Sequence, residues 1–271
     1  MTPVAQRAHD LQRLVDDLRR LGLPQGGQVL VHCSMRALGF VRGGPDTLLS
    51  AIQQVIGPTG TVVVPTQTAN NSTTSRDHHA AIAGMRRRQR KRYVEGLPGF
   101  DRDRSPSFRM GLLAEHVRTR PDAVRSGHPQ TSFAAIGPSA GTLMARHRLD
   151  SHLGDESPLA ALHDANGYSL MVGVGYDKCT ALHLAEYRLP KGVPTRTKQY
   201  RCFVARGRHR TTLLFRAIDL DDSCFPQLGE SLDSRPFVRT GSVGDAYARL
   251  IPIKDAVDHA IGWIARWRTA H

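Results

Sequence analysis

The chain has 271 residues, 40% of them hydrophobic and 6% aromatic, and a formal charge of +13. That is enough apolar material for a sizeable core in one large domain or about two small ones, and one domain is expected. No run of about 18 apolar residues occurs, and Met1 to Arg20 is charged and amphipathic, so neither a membrane span nor a secretory leader is expected and the protein is expected in the cytoplasm.

Helical spacing of Leu11, Leu14, Val15 and Leu18 predicts a helix over Val4 to Leu21, closed by Gly22 and Pro24. A short buried strand, Gln28 to His32, precedes a small-residue turn and a helix over Pro45 to Ile56. Gly57-Pro-Thr-Gly60 ends that helix, and Thr61 to Pro65 is a second buried strand. Strand, helix, strand in this order predicts parallel pairing with helices on the sheet faces. Periodicity fails from Thr66 to Ser105, apart from a helix around His78 to Tyr93; stretches of this kind are usually functional or disordered. Met110 to Arg118 and Ala140 to His147 read as helices, and Ser132 to Ile136 and Tyr168 to Val174 as strands. Lys198 to Ala205 and Thr211 to Ala217 alternate as an antiparallel hairpin about Arg206-Gly-Arg208. Val243 to Ile251 and then Lys254 to Trp267 read as amphipathic helix.

The positive charge invites a nucleic-acid partner, since clustered Lys and Arg displace counterions from phosphate. Much of the excess, however, sits in Met85 to Tyr93, and no stacking platform or helix-turn-helix accompanies it. A solvated loop or helix face explains that run without a ligand. Cys33, Cys179, Cys202 and Cys224 are scattered, with no C-x-x-C pair; free thiols are expected, not a zinc or redox centre.

The segment Gly173-Val-Gly-Tyr-Asp-Lys-Cys-Thr-Ala-Leu-His-Leu-Ala-Glu-Tyr187 carries most of the chemistry. If Thr180 to Leu189 is helical, His183 and Glu186 stand at i and i+3 on one face, and a carboxylate there would hold the imidazole as a proton acceptor. Asp177 lies just past a strand, where open α/β sheets place ligand-binding groups. A solvated ion pair on a surface helix is the competing reading. Cys33, Ser34 and Arg36 follow the first strand, where backbone amides can cradle an acceptor-rich ligand. Cys33 has no basic motif beside it to activate a thiolate. Pro129 gives His128 a defined direction, in a loop that leads to Ser132 and the next strand.

Five motifs then occur in a telling order: Leu30-Val-His-Cys-Ser34, Gly57-Pro-x-Gly-Thr-Val-Val-Val-Pro-Thr66, Ser105-Pro-Ser-Phe-Arg-Met-Gly-Leu-Leu-Ala-Glu115, Arg125-Ser-Gly-His-Pro129 and Gly173-Val-Gly-x-Asp-x-x-Thr-x-Leu-His-x-x-Glu186. This order resembles the aminoglycoside 3-N-acetyltransferases, from about Leu11 to about Trp267. The resemblance implies a single-domain α/β/α sandwich with a mostly parallel central sheet and an additional antiparallel hairpin, distinct from the common N-acetyltransferase fold. Residues of about 68–104 would be a long, irregular, basic insertion. It also implies acetyl-CoA as co-substrate, an aminoglycoside antibiotic as acceptor, no metal, and a monomer or homodimer. His183 falls on the family's general base, with Glu186 and Asp177 as acidic supports. Ser34, Met35, Arg36, Ser107, His128, Pro129, Ser132 and Phe133 fall in regions resembling the coenzyme site. Thr66, Thr68, Asp221, Asp222 and Glu230 stand where substrate contacts are expected. Cys33 replaces a common serine and Gln67 a frequent aromatic residue, and the second departure bears on the substrate profile.

Two tensions follow. Aminoglycosides are polycations, and a chain this basic repels them at long range, so a locally acidic cleft built from Asp177, Glu186, Asp221, Asp222 or Glu230 is expected. Outside this family, the residues also admit acetylation of another amine, a nucleic-acid module using Met85 to Tyr93, or a metal hydrolase using His183, Glu186 and His128. The ordered His-Glu-x-x-His spacing of the last is missing.

Overall fold

The computed structural model describes residues 8–207 and 209–270; residues 4–7 of the helix expected from Val4 and one residue of the expected hairpin turn, Arg208, lie outside the described residues, and the helix itself begins only at Leu11, where the Asp10 side chain caps it by accepting from the Arg13 N–H. The described strands are Gln28–Cys33 (β1), Thr61–Pro65 (β2), Val124–Arg125 (β3), Phe133–Ile136 (β4), Tyr168–Val172 (β5), Thr197–Arg206 (β6), His209–Ile218 (β7), Arg239–Val243 (β8) and Ala246–Pro252 (β9). Seven form one sheet in the order β3-β4-β2-β1-β5-β9-β8, and β6 and β7 form a separate hairpin.

β1 lies between β2 and β5 and runs parallel to both, with Val29 opposite Val62 and Leu30 opposite Ser169. The flanking pairs β2·β4, β3·β4, β5·β9 and β8·β9 are antiparallel. The α/β class and the extra hairpin stand as expected, but parallel pairing is confined to the three central strands. The parallel β1·β2 pair is joined by a crossover that carries helix Pro45–Ile56, whereas β8 and β9 are joined by a two-residue turn, which only antiparallel strands accept.

That turn corrects the expected helix over Val243 to Ile251. Val243 pairs with Ala246 across Gly244-Asp245, and Gly244 has φ +58°, the left-handed conformation that such hairpin turns require. From Ala246 to Leu250 the buried residues alternate, Ala246, Ala248 and Leu250, with Tyr247 exposed between them, and Ile251 beyond them is buried against the opposite layer. The period is two, and an alanine-rich strand of this kind imitates a short helical pattern. The helix expected around His78 to Tyr93 is likewise two helices, Arg76–Ile82 and Arg87–Glu95, parted at Gly84 with φ +77°. Within the expected irregular insertion, these helices are joined to the hairpin by Thr73 N–H to the Arg201 carbonyl (3.0 Å) and Phe100 N–H to the Phe203 carbonyl (2.8 Å).

Alternation along the central strands fills two apolar layers. Val29, Val31, Val62 and Val64 face one, with helices Leu11–Leu21, Pro45–Ile56 and Leu112–Arg118. Leu30, Val63 and Met171 face the other, with helices Ala140–Met144, Pro158–Asp164 and Ile253–Ala270. Among the described residues no helix is long and apolar enough to cross a membrane.

Candidate active site

The three parallel strands end side by side, the place where open α/β sheets bind ligands. Cys33 and Ser34 at and after the end of β1, Pro65 and Gln67 at and after β2, and Val174, Asp177, Thr180 and His183 after β5 border a cavity of about 520 Å³. Asp77, Arg109, Met110, Gly111 and Asp222 complete its walls. The exit from β5 requires glycine: Gly173 has φ +64°, and a Cβ there would stand 2.4 Å from that of Ala37.

Thr180 to Leu189 is not one helix. Thr180–Leu182 forms a 3-10 turn and His183–Tyr187 a single α turn, and this is enough to keep His183 and Glu186 on one face. His183 Nδ1 lies 2.6 Å from Glu186 Oε2. Glu186 is 1% exposed, so the pair is not a solvated surface contact. The second carboxylate oxygen, Oε1, accepts from the Asp221 backbone N–H at 3.1 Å and from the Arg268 guanidinium. Phe225 packs against the imidazole at 4.8 Å between ring centroids. With Nδ1 committed to Glu186, Nε2 is the remaining nitrogen of a ring that borders the cavity.

The carboxylates expected around His183 separate into three places. Asp177 borders the cavity but turns to Lys178 Nζ, 2.9 Å away, and among the described residues Glu186 is the carboxylate that pairs with the imidazole. Asp222 borders the cavity and pairs with Arg76 at 2.6 Å. Asp221 instead faces a second hollow of about 360 Å³ behind Glu186, with Asp219, Trp267 and Arg268. Glu230 is exposed on helix Phe225–Asp233 and borders neither space. Asp77, which sequence reasoning missed, supplies a further cavity carboxylate and pairs with Arg109 at 2.6 Å.

Of the residues mapped to the coenzyme, Ser34 reaches the cavity. Its hydroxyl caps helix Met35–Leu38 by accepting from the Ala37 N–H at 3.2 Å, and its own amide donates to the Val172 carbonyl at 2.9 Å. Met35 packs into an apolar layer, Arg36 is exposed, and Ser107 is bonded through amide and hydroxyl to Glu115.

His128, Pro129, Ser132 and Phe133 are buried, as are Thr66 and Thr68. Their polar atoms are already paired with one another and with backbone. His128 Nδ1 accepts from the Gln130 and Thr131 amides at 3.1 Å, so Nε2 carries the proton and points to the Leu149 carbonyl at 3.3 Å. Ser132 Oγ donates to the Thr66 carbonyl at 2.8 Å, Thr68 Oγ1 to the Pro129 carbonyl at 2.6 Å, and Arg125 binds the Thr66 and Ser132 hydroxyls at 3.1 Å. These residues brace the wall behind the strand ends and do not line the cavity. His128 packs at a tilt against His147 and His152, at 4.7 and 4.5 Å between ring centroids, and burial holds it well below the usual imidazole range. Both of its nitrogens are committed to backbone, and among the described residues no group of three or more His, Cys, Asp or Glu is placed to hold a metal ion.

A second cavity histidine emerged only from the structure. His32, in the apolar run of β1, is 6% exposed, and its Nε2 lies 2.8 Å from Thr180 Oγ1. Burial pushes it down to about 4, so it is a neutral brace for the turn that leads into His183. Cys33 beside it is pushed up to about 12 by burial and stays a thiol at neutral pH.

A carboxylate-held imidazole thus stands at the ends of the parallel strands of this sheet, beside a cysteine that stays a thiol. The chain belongs to the aminoglycoside 3-N-acetyltransferase family, whose model matches residues 30–265. It is 33% identical over 261 residues to aminoglycoside N(3)-acetyltransferase III of Pseudomonas aeruginosa, covering 94% of this chain and 93% of that protein. YokD from Bacillus subtilis, of known crystal structure, matches with a TM-score of 0.87 at 29% identity, over 96% of this chain and 94% of the other. AAC-IIIb in its binary complex with CoASH matches with a TM-score of 0.82 at 28% identity, over 96% and 97% of the two chains.

Proposed function

We propose that this protein transfers the acetyl group of acetyl-CoA directly to the 3-amino group of an aminoglycoside, with His183 as general base. The observation that carries the reading is the 2.6 Å contact of His183 Nδ1 with a buried Glu186, which sets the tautomer and leaves Nε2 for the cavity. The relative bound to CoASH supports the donor, and the family supports the acceptor. The working unit is the whole chain as one acetyltransferase domain, with residues of about 68–104 as its insertion.

Amide formation needs an uncharged amine. The amine nitrogen attacks the thioester carbonyl and forms the N–C bond, the C–S bond breaks, and the proton lost by nitrogen passes to His183 Nε2 and on to the leaving thiolate. This balance requires no acyl-enzyme, which agrees with a Cys33 held as a thiol. Because the Ser34, Ala37 and Leu38 amides are committed to Val172 and to Ser34 itself, the Met35 and Arg36 amides are the donors assigned to the developing oxyanion. Ser34 itself borders the donor end of the cavity.

Asp77, Asp177 and Asp222 answer the charge problem of a basic chain with a polycationic acceptor. Each already holds a protein cation, Arg109, Lys178 and Arg76 respectively, and substrate ammonium groups exchange for these partners. Cation exchange of this kind favours acceptors with several amines over simple amines.

The decisive experiment is thiol release from acetyl-CoA with a panel of aminoglycosides and simple amines, on the wild type and on His183→Ala. Turnover with an aminoglycoside and a loss of about 100-fold or more in His183→Ala, with CoA binding retained, is expected. No turnover on any aminoglycoside, or a variant that keeps most of its rate, overturns the reading.

A further inference from the structure

We propose that Arg268 is a positioning residue for the acetyl transfer: from the end of the C-terminal helix it clamps Glu186, so that the carboxylate holds the His183 imidazole with Nε2 toward the cavity. The inference rests on the reading of His183 as base.

Glu186 is sealed from solvent, and a buried carboxylate needs donors on both oxygens. Oε2 serves His183. Oε1 is held by two donors from distant parts of the chain, the Arg268 guanidinium and the Asp221 amide. Fixing Oε1 stops the carboxylate from rotating, and it is this that fixes Oε2 under the imidazole. A neutral hydrogen bond from Asp221 alone would leave the buried negative charge unbalanced.

The helix presents Arg268 from a rigid platform. Ile253, Val257, Ala260 and Ile264 are fully buried and follow one another at helical spacing along one face. Arg268 is the next position of that stripe, one turn beyond Ile264, where a fifth apolar residue would only extend the core. An arginine there brings its stem along the apolar face and its guanidinium to Glu186. It also donates to the Pro194 carbonyl at 3.4 Å, and its side chain is 16% exposed. That exposure faces the hollow of about 360 Å³ behind the dyad. The base is thus reached from two sides: substrate from the cavity at the strand ends, and Arg268 from the rear hollow.

This second opening makes the proposal testable by chemical rescue. Arg268→Ala should keep the wild-type circular dichroism and KM values within about twofold, while kcat falls about 10- to 100-fold, as for a misplaced catalytic group. Millimolar guanidinium should enter the vacated hollow and restore a large part of kcat, whereas sodium chloride at equal ionic strength should not. Arg268→Lys should recover part of the rate, since an ammonium supplies charge without the planar fork. If Arg268→Ala fails to fold, Arg268→Gln takes its place, with the same fall and the same rescue expected. A folded variant with wild-type kcat, or a loss that neither guanidinium nor lysine relieves, overturns the proposal. His183→Ala separates the two levels of argument: an active His183→Ala means that the base assignment itself fails, while an inactive one beside a fully active Arg268→Ala means that only the clamp fails.

Discussion

Lowering the pH from about 8 to about 5 should weaken the fold by several kcal/mol through histidines that are buried neutral. His147 and His152 are pushed down to about 4 and about 3, first by burial, and His152 further by the charge of His147 and Lys198. In the unfolded chain each returns to the ordinary value of about 6.5. Below that value the unfolded state binds more protons than the native one, so the contribution is whole above about pH 6.5 and is lost as the pH falls toward the native value. For one such histidine the loss between about pH 8 and about pH 5 is about 2 kcal/mol. His32, pushed down to about 4 by burial, adds a similar amount. The His128, His147 and His152 rings touch, so a charge on one opposes a charge on the next and their losses do not simply add.

Urea unfolding followed by circular dichroism across this range measures the effect. Repulsion within a chain of charge +13 acts in the same direction, and His152→Phe separates the two causes. The His152 ring lies against Tyr200 and Phe215 at 4.2 and 5.1 Å, and neither of its nitrogens has a hydrogen-bond partner among the described residues. Its replacement should leave stability at pH 8 within about 1 kcal/mol and reduce the acid loss by about 2 kcal/mol. An acid loss identical in wild type and His152→Phe would refute the reasoning.

Two further expectations concern the cavity. Cys33→Ser should keep kcat within about threefold, because a thiol pushed up to about 12 contributes no nucleophile; a fall of about 100-fold in the thiol-release assay would instead indicate an acyl-enzyme. Asp222→Asn should raise the KM of a multiply charged aminoglycoside several-fold with little change in kcat, and the effect should shrink as salt is added. An unchanged KM at low salt would remove Asp222 from the acceptor site.

Local features of this protein were legible in its residues. The His-x-x-Glu pair needed only one helical turn to bring both groups together, and one turn is what His183–Tyr187 supplies. Apolar runs punctuated by Gly and Pro marked β1, β2 and β5, and the alternation about Gly207 marked the hairpin of β6 and β7. Val243 to Ile251 misled because alanines satisfy both periods, and only pairing with β5 and β8 selects the strand. The His128 to Phe133 turn carries polar residues that suit a ligand as well as they suit a wall. Burial decides between these roles, and burial is a property of the whole packed chain.

The sequence by itself determined the central strands and helices, the one-turn spacing of His183 and Glu186, and the strand ends beside them, because each depends on neighbours a few residues apart. The tertiary structure alone decided that Glu186 and not Asp177 holds the imidazole, that Asp77 joins the cavity, that the His128 turn faces inward, and that Arg268 closes on Glu186 across 82 residues. Such pairings arise when the sheet is ordered and its layers pack, and no local pattern encodes which distant charge a buried carboxylate will meet.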